Sequence, residues 1–91
     1  MSTHTATLLL DKWPEHRGIA ALFEVVPPYK GITYLHIHYI NGDSGLRLCH
    51  RSALHMLSLP LAQTDANACL VELGEQIATQ WEPLARLWRK P

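Results

Sequence analysis

Between Ile32 and Ile40 the chain alternates in character: Leu35, Ile37 and Tyr39 share one parity, and Tyr34, His36 and His38 share the other. Strand side chains point to opposite faces in turn, so the segment predicts a strand with one oily face and one face of ring-bearing polar groups. Residues 19–26 are apolar and end in Phe23-Glu24-Val25-Val26, which predicts a second strand. Pro27-Pro28-Tyr29-Lys30-Gly31 joins the two, because proline fixes φ and removes donors while glycine supplies positive φ. Asn41-Gly42 is a strong hairpin signal. Beyond it Leu46, Leu48 and His50 fall on one face, and Arg47 and Cys49 on the other. The expectation is a three-stranded antiparallel meander over residues 19–51, with residues 6–10 as a candidate fourth strand.

The period lengthens after Arg51. Ser52 is placed to cap a short helix over residues 53–59, which Pro60 stops. Thr64 or Asp65 caps the main helix. Its apolar positions Leu70, Leu73, Ile77, Trp81, Leu84 and Trp88 recur at intervals of three and four and form one stripe. Glu72, Glu75, Gln76, Thr79 and Glu82 carry the opposite side. Pro83 lacks an N–H and crowds the carbonyl of Thr79, yet the stripe keeps its phase across it. A Pro83-kinked helix is expected, or two helices meeting near Glu82. Strands first and helices later predict an α+β fold. The sheet is expected to have three to four antiparallel strands, with a short helix and the long C-terminal helix packed on one face. Tyr34, His36 and His38 then lie on the face away from the helices.

Ninety-one residues, 47% hydrophobic and 18% charged, fit a single ordered domain. A chain this short hides roughly 60–65% of its unfolded surface, enough for one modest core. Eight basic residues balance eight acidic ones, so no global field draws the chain to nucleic acid or to anionic lipid. Six histidines make the surface responsive to mild acid. Cys49 and Cys69 sit in a predicted strand and a predicted helix, and are expected as buried thiols of a cytoplasmic protein. No targeting segment is expected, and no apolar run approaches the ~18 residues of a membrane span.

The chemistry is sparse. His36 and His38 share a strand face and are two candidate metal ligands. A third would have to come from His50 or His55, because zinc requires at least three protein donors. No Cys-x-x-Cys or His-Glu-x-x-His accompanies them. Cys49 and His50 are adjacent in sequence and point apart on a strand, the wrong geometry for a thiolate–imidazole pair. Gly42-Asp43-Ser44-Gly45 is not a nucleophile elbow. No catalytic role and no cofactor are expected. Arg86, Arg89 and Lys90 form a basic end that could meet nucleic acid, with Tyr34 and Trp88 available to stack on bases. Cations at a helix C-terminus also serve the dipole, and Glu82 and Arg86 form an ordinary i,i+4 pair.

What remains is a one-sided sheet. Tyr34, His36, His38, Arg47 and the loop residue Trp13 are the candidate partner-binding residues. The expected function is a small protein-binding module acting as inhibitor, adaptor or regulatory subunit, its partner another protein or a second copy of the chain. In size and architecture such a module resembles the small single-domain proteins with which phages and mobile elements block host machinery, such as anti-CRISPR proteins. That resemblance carries no motif and names no target. A metal- or pH-responsive site on His36 and His38 is the alternative, followed by nucleic-acid binding.

Overall fold

Lys30 and Gly31 take φ values of 50° and 81°, the paired left-handed conformation of a two-residue hairpin turn. Glycine reaches that region without strain. The turn is therefore shorter than the proline-rich linker expected from the sequence. Tyr29 already pairs with Ile32 across it. Pro27 and Pro28 belong to the preceding strand, in a stretch where its pairing to the next strand is irregular between Glu24 and Tyr29. Prolines fit a strand where the ladder is broken.

The computed structural model describes residues 3–11, 18–40 and 46–88, without the side chains of residues 18–19, 39–40 and 87–88. Its elements are β1 (Thr5–Leu10), β2 (Gly18–Tyr29), β3 (Ile32–Ile40), β4 (Leu46–Arg51), β5 (Leu59–Pro60), α1 (Gln63–Gln80) and α2 (Glu82–Trp88). The five strands form one antiparallel sheet in chain order. The fold is α+β, and the meander over β2, β3 and β4 is present. Residues 5–10 do join the sheet, beside β2. Asn41-Gly42 and Trp13 lie outside the described residues.

Two expectations need correction. Residues 53–59 are not helical. They make a turn, in which Met56 N–H donates to Ala53 C=O at 3.0 Å, and then form β5. Within that turn the Arg51 guanidinium donates to Leu54 C=O at 2.9 Å, in place of a helical backbone partner. With β5 the sheet gains a fifth strand. Neither Thr64 nor Asp65 caps α1. The cap position is Ala62, extended and without a side-chain bond, and Asp65 sits in the first turn, where its charge suits the positive helix end. At Pro83 the structure has two helices. Trp81 is extended between them at φ −135°, ψ 99°, and its N–H still donates to Ile77 C=O at 2.8 Å.

One core lies between the sheet and the helices. Phe23, Val25, Leu35, Ile37 and Leu48 from the strands meet Cys69, Leu73, Ile77, Trp81 and Leu84 from the helices. Phe23 and Trp81 pack edge-to-face, their ring centroids 6.4 Å apart. The stripe of α1 is turned slightly from the expected one. Ala66, Cys69, Gly74 and Ala78 are buried within it, and Leu70 only flanks it. Small side chains there bring the helix close to the strands.

Candidate functional site

The strand register sorts the predicted site residues. Leu22, His36 and Cys49 form one cross-strand row, Ala20, His38 and Arg47 a second, and Glu24, Tyr34 and Arg51 a third. All lie on the sheet face away from the helices, and none belongs to the main core cluster. The expected side is therefore the observed side. The expected exposure is not. His36 is only 3% exposed, and its row neighbour Leu22 only 5%. Tyr34 and His38 are half-buried, and Arg47 is exposed. The His36 and His38 rings lie 5.2 Å apart at 55°. A residue in the middle of a five-stranded sheet is walled in by its cross-strand neighbours, which is what removes His36 from contact with a partner.

The three candidate metal ligands do not converge. His50 pairs with Leu35 and so faces the helices, whereas His36 and His38 face away. His55 is exposed in the loop before β5. Among the described residues no group of three or more His, Cys, Asp or Glu side chains is arranged to hold a metal ion. Cys49 stands across from His36. Burial holds its thiol above the ordinary value, against an opposing pull from Arg47.

His50 instead shares a cavity of about 290 Å³ with Cys69, Asp65 and Lys30. The set resembles a thiol–imidazole–carboxylate constellation in composition. Its electrostatics run the other way. Burial, reinforced by Asp65 and opposed by Lys30, pushes the Cys69 thiol up to about 11. The thiolate is the nucleophile, so a thiol kept protonated at neutral pH is an inert core group.

The basic end is partly described. Arg86 pairs with Glu82 at 3.6 Å, both side chains largely exposed. Such a pair contributes little to stability. Arg89 and Lys90 lie outside the described residues.

Sequence reasoning missed the densest run of exposed large apolar side chains among the described residues. In the loop and strand after β4, Leu54, Met56, Leu57 and Leu59 are 53, 49, 87 and 58% exposed. Four large apolar side chains within six residues is an unusual concentration on a surface this small. The loop is held in shape. Arg51 Nε and Nη2 donate to Ser58 Oγ at 3.0 and 2.8 Å, and Nη1 donates to Leu54 C=O at 2.9 Å. The available signal was the apolar spacing itself. Leu54 and Leu57 are three apart, which suits a helix face as well as a loop tip.

The sheet edges differ. Along β1 the outer backbone groups are taken by two glutamines of α1. Gln76 Oε1 accepts from Ala6 N–H at 2.9 Å while its Nε2 donates to His4 C=O at 2.7 Å. Gln80 Oε1 accepts from Leu8 N–H at 2.8 Å while its Nε2 donates to Ala6 C=O at 2.6 Å. The two amides stand in for a neighbouring strand. At the other edge β5 pairs with Cys49 and His50 only, and Leu61 N–H adds one bond to Leu48 C=O at 3.0 Å. Beyond its end a groove of about 410 Å³ opens beside Leu46 and Arg47, with Pro60, Leu61 and Gln63 on its far wall.

No protein-family model matches the chain, and no curated protein or solved structure is detectably similar to it. No described helix is long and apolar enough to cross a membrane.

Proposed function

We propose that the chain acts by binding another protein, as an inhibitor, adaptor or regulatory subunit. The observation that carries this reading is the pinned loop with Leu54, Met56, Leu57 and Leu59 turned to solvent. Large apolar side chains exposed close together on a small domain are costly to leave wet and favour an interaction site. Three hydrogen bonds from one guanidinium fix its shape before a partner arrives, which lowers the ordering cost of binding. Arg47 on the uncovered sheet face adds an exposed cation nearby in sequence, and Tyr34 and His38 a half-buried rim.

The test is affinity capture with the wild-type chain and with Leu57→Asp as paired baits in the same lysate. The expected result is a protein retained in fixed stoichiometry by the wild type and lost with the variant. If the two baits retain the same proteins, or neither retains any, the proposal fails.

A further inference from the structure

We infer that the cavity bounded by Lys30, Ile32, His50, Leu61, Asp65 and Cys69 is a binding site for a small zwitterion, an apolar α-amino acid. None of these residues belongs to the exposed set Leu54, Met56, Leu57 and Leu59, so the site is independent of the protein-binding reading.

The strand ends and the start of α1 meet there. Lys30 lies in the turn between β2 and β3, and Ile32 opens β3. His50 pairs with Leu35 near the end of β4 and faces the helices. Leu61 lies between β5 and α1. Asp65 and Cys69 are four positions apart on α1 and so share a face of that helix. Lys30 is an uncommon choice for its backbone. Its φ of 50° is left-handed, where a tight turn favours asparagine or glycine. The turn gives no reason for a lysine at that position, but an ammonium at the cavity does.

The two charges at the cavity answer nothing within the fold. Lys30 Nζ stands 5.6 Å from the centre of the Tyr29 ring, and no hydrogen bond or ion pair engages its ammonium or the Asp65 carboxylate. Both charges nevertheless reach the same thiol, since Asp65 pushes Cys69 up and Lys30 pulls it down. A cation and an anion therefore flank one small space without pairing to each other. The His50 ring completes the polar wall, its buried Nδ1 without a hydrogen-bond partner.

Opposite charges on one cavity select a ligand that carries both signs. A plain anion leaves Asp65 against it, and a plain cation leaves Lys30 against it. A zwitterion sets its ammonium on Asp65 and its carboxylate on Lys30, and so bridges the gap. Ile32 is buried and Leu61 half-buried, and they offer the apolar contact for a side chain. The volume of about 290 Å³ is at the lower limit of ordinary ligand pockets, roughly 300 Å³. That suits an amino acid better than a nucleotide.

The experiment is titration of the isotope-labelled folded chain, followed through its amide resonances by two-dimensional NMR. L-Leucine is compared with isocaproate, which lacks the ammonium, and with isoamylamine, which lacks the carboxylate. The expected result is saturable shifts with L-leucine at the amides of the cavity residues. Each truncated probe binds at least tenfold more weakly. Lys30→Asn and Asp65→Asn each weaken L-leucine at least tenfold. Both positions are exposed and asparagine suits the turn at Lys30, and circular dichroism checks that each variant folds. The inference is overturned if L-leucine shifts nothing or shifts amides elsewhere, or if either variant keeps wild-type affinity. Isocaproate binding as tightly as L-leucine reassigns the cavity to plain anions, and isoamylamine doing so reassigns it to plain cations. Either result overturns the inference on the wild-type chain alone. The paired-bait capture judges the loop separately.

Discussion

Cys69 is fully buried against the sheet, and its thiol is held protonated well above its ordinary range, up to about 11. The unfolded chain titrates this group at 9.0. A folded-state value above the unfolded one means that stability is fully present below pH 9 and is lost as pH climbs through 11. The loss amounts to about 2–3 kcal/mol. Urea midpoints measured from pH 8 to pH 11 should fall, and Cys69→Ala should flatten the slope that this group contributes. An unchanged slope in the variant removes Cys69 as the source. Arg51 makes a different residue-level case. Lysine keeps its charge but cannot fork to Ser58 and Leu54 at once. Arg51→Lys should therefore speed hydrogen exchange of the residue 54–58 amides while leaving the amides of β2 and β3 protected. Equal exchange in both proteins means that something other than the guanidinium holds the loop. The expected burial holds for Cys69, while Cys49 is only half-buried on the uncovered sheet face. The Arg51–Ser58 pin spans seven positions and belongs to no local period, so no sequence pattern announces it.

At the scale of elements, β1 and α1 are joined by two glutamine amides as well as by the buried Ala6. Gln76 and Gln80 are one helical turn apart, and β1 advances two residues between its outward N–H groups. The i,i+4 spacing thus matches Ala6 to Leu8. Gln76→Ala loses two hydrogen bonds and leaves two strand groups unanswered, at a cost of about 1–3 kcal/mol. Gln76→Glu keeps the acceptor for Ala6 N–H but removes the donor to His4 C=O, and should fall between the two. The double change Gln76→Ala with Gln80→Ala should also make the chain self-associate with rising concentration, because an open edge pairs with another. A double variant that stays monomeric by sedimentation would show that β1 is guarded by something else. The sequence marks both glutamines only as polar positions on a helix, and Gln76 as part of the side opposite the stripe. Their partners lie seventy or more residues away, beyond the reach of any periodicity. Short-range patterns did reach β3, β4 and α1, where alternation or the 3.6 period persists over several turns or pleats. They failed at residues 53–59, where five apolar side chains in seven residues fit a short helix equally well and the chain instead makes a turn bonded to the Arg51 guanidinium.

The whole molecule combines neutral charge, a core under the helices and, among the described residues, an exposed apolar loop. Helices cover a single sheet face, and the other face fills its own centre with Ala20, Leu22 and His36. What the sequence suggested as an open docking sheet is therefore partly closed, while in the loop and β5 Leu54, Met56, Leu57 and Leu59 are exposed. Two consequences separate cleanly. The loop side chains Leu57 and Leu59 lie outside the main core cluster, so replacing them with aspartate should change stability by no more than about 0.5 kcal/mol each. The same pair, Leu57→Asp with Leu59→Asp, moves the net charge from zero to −2 and removes the two most exposed side chains of the patch. Both changes oppose association, since neutral proteins with apolar patches are the ones that cohere. The expected outcome is a thermal midpoint like the wild type's together with a solubility limit at neutral pH raised several-fold. A midpoint lowered by ten degrees or more would mean that the loop belongs to the core. An unchanged solubility limit would mean that it is not what neighbouring molecules touch. If both outcomes hold, stability rests on the helix-covered face and association on the loop outside the core cluster.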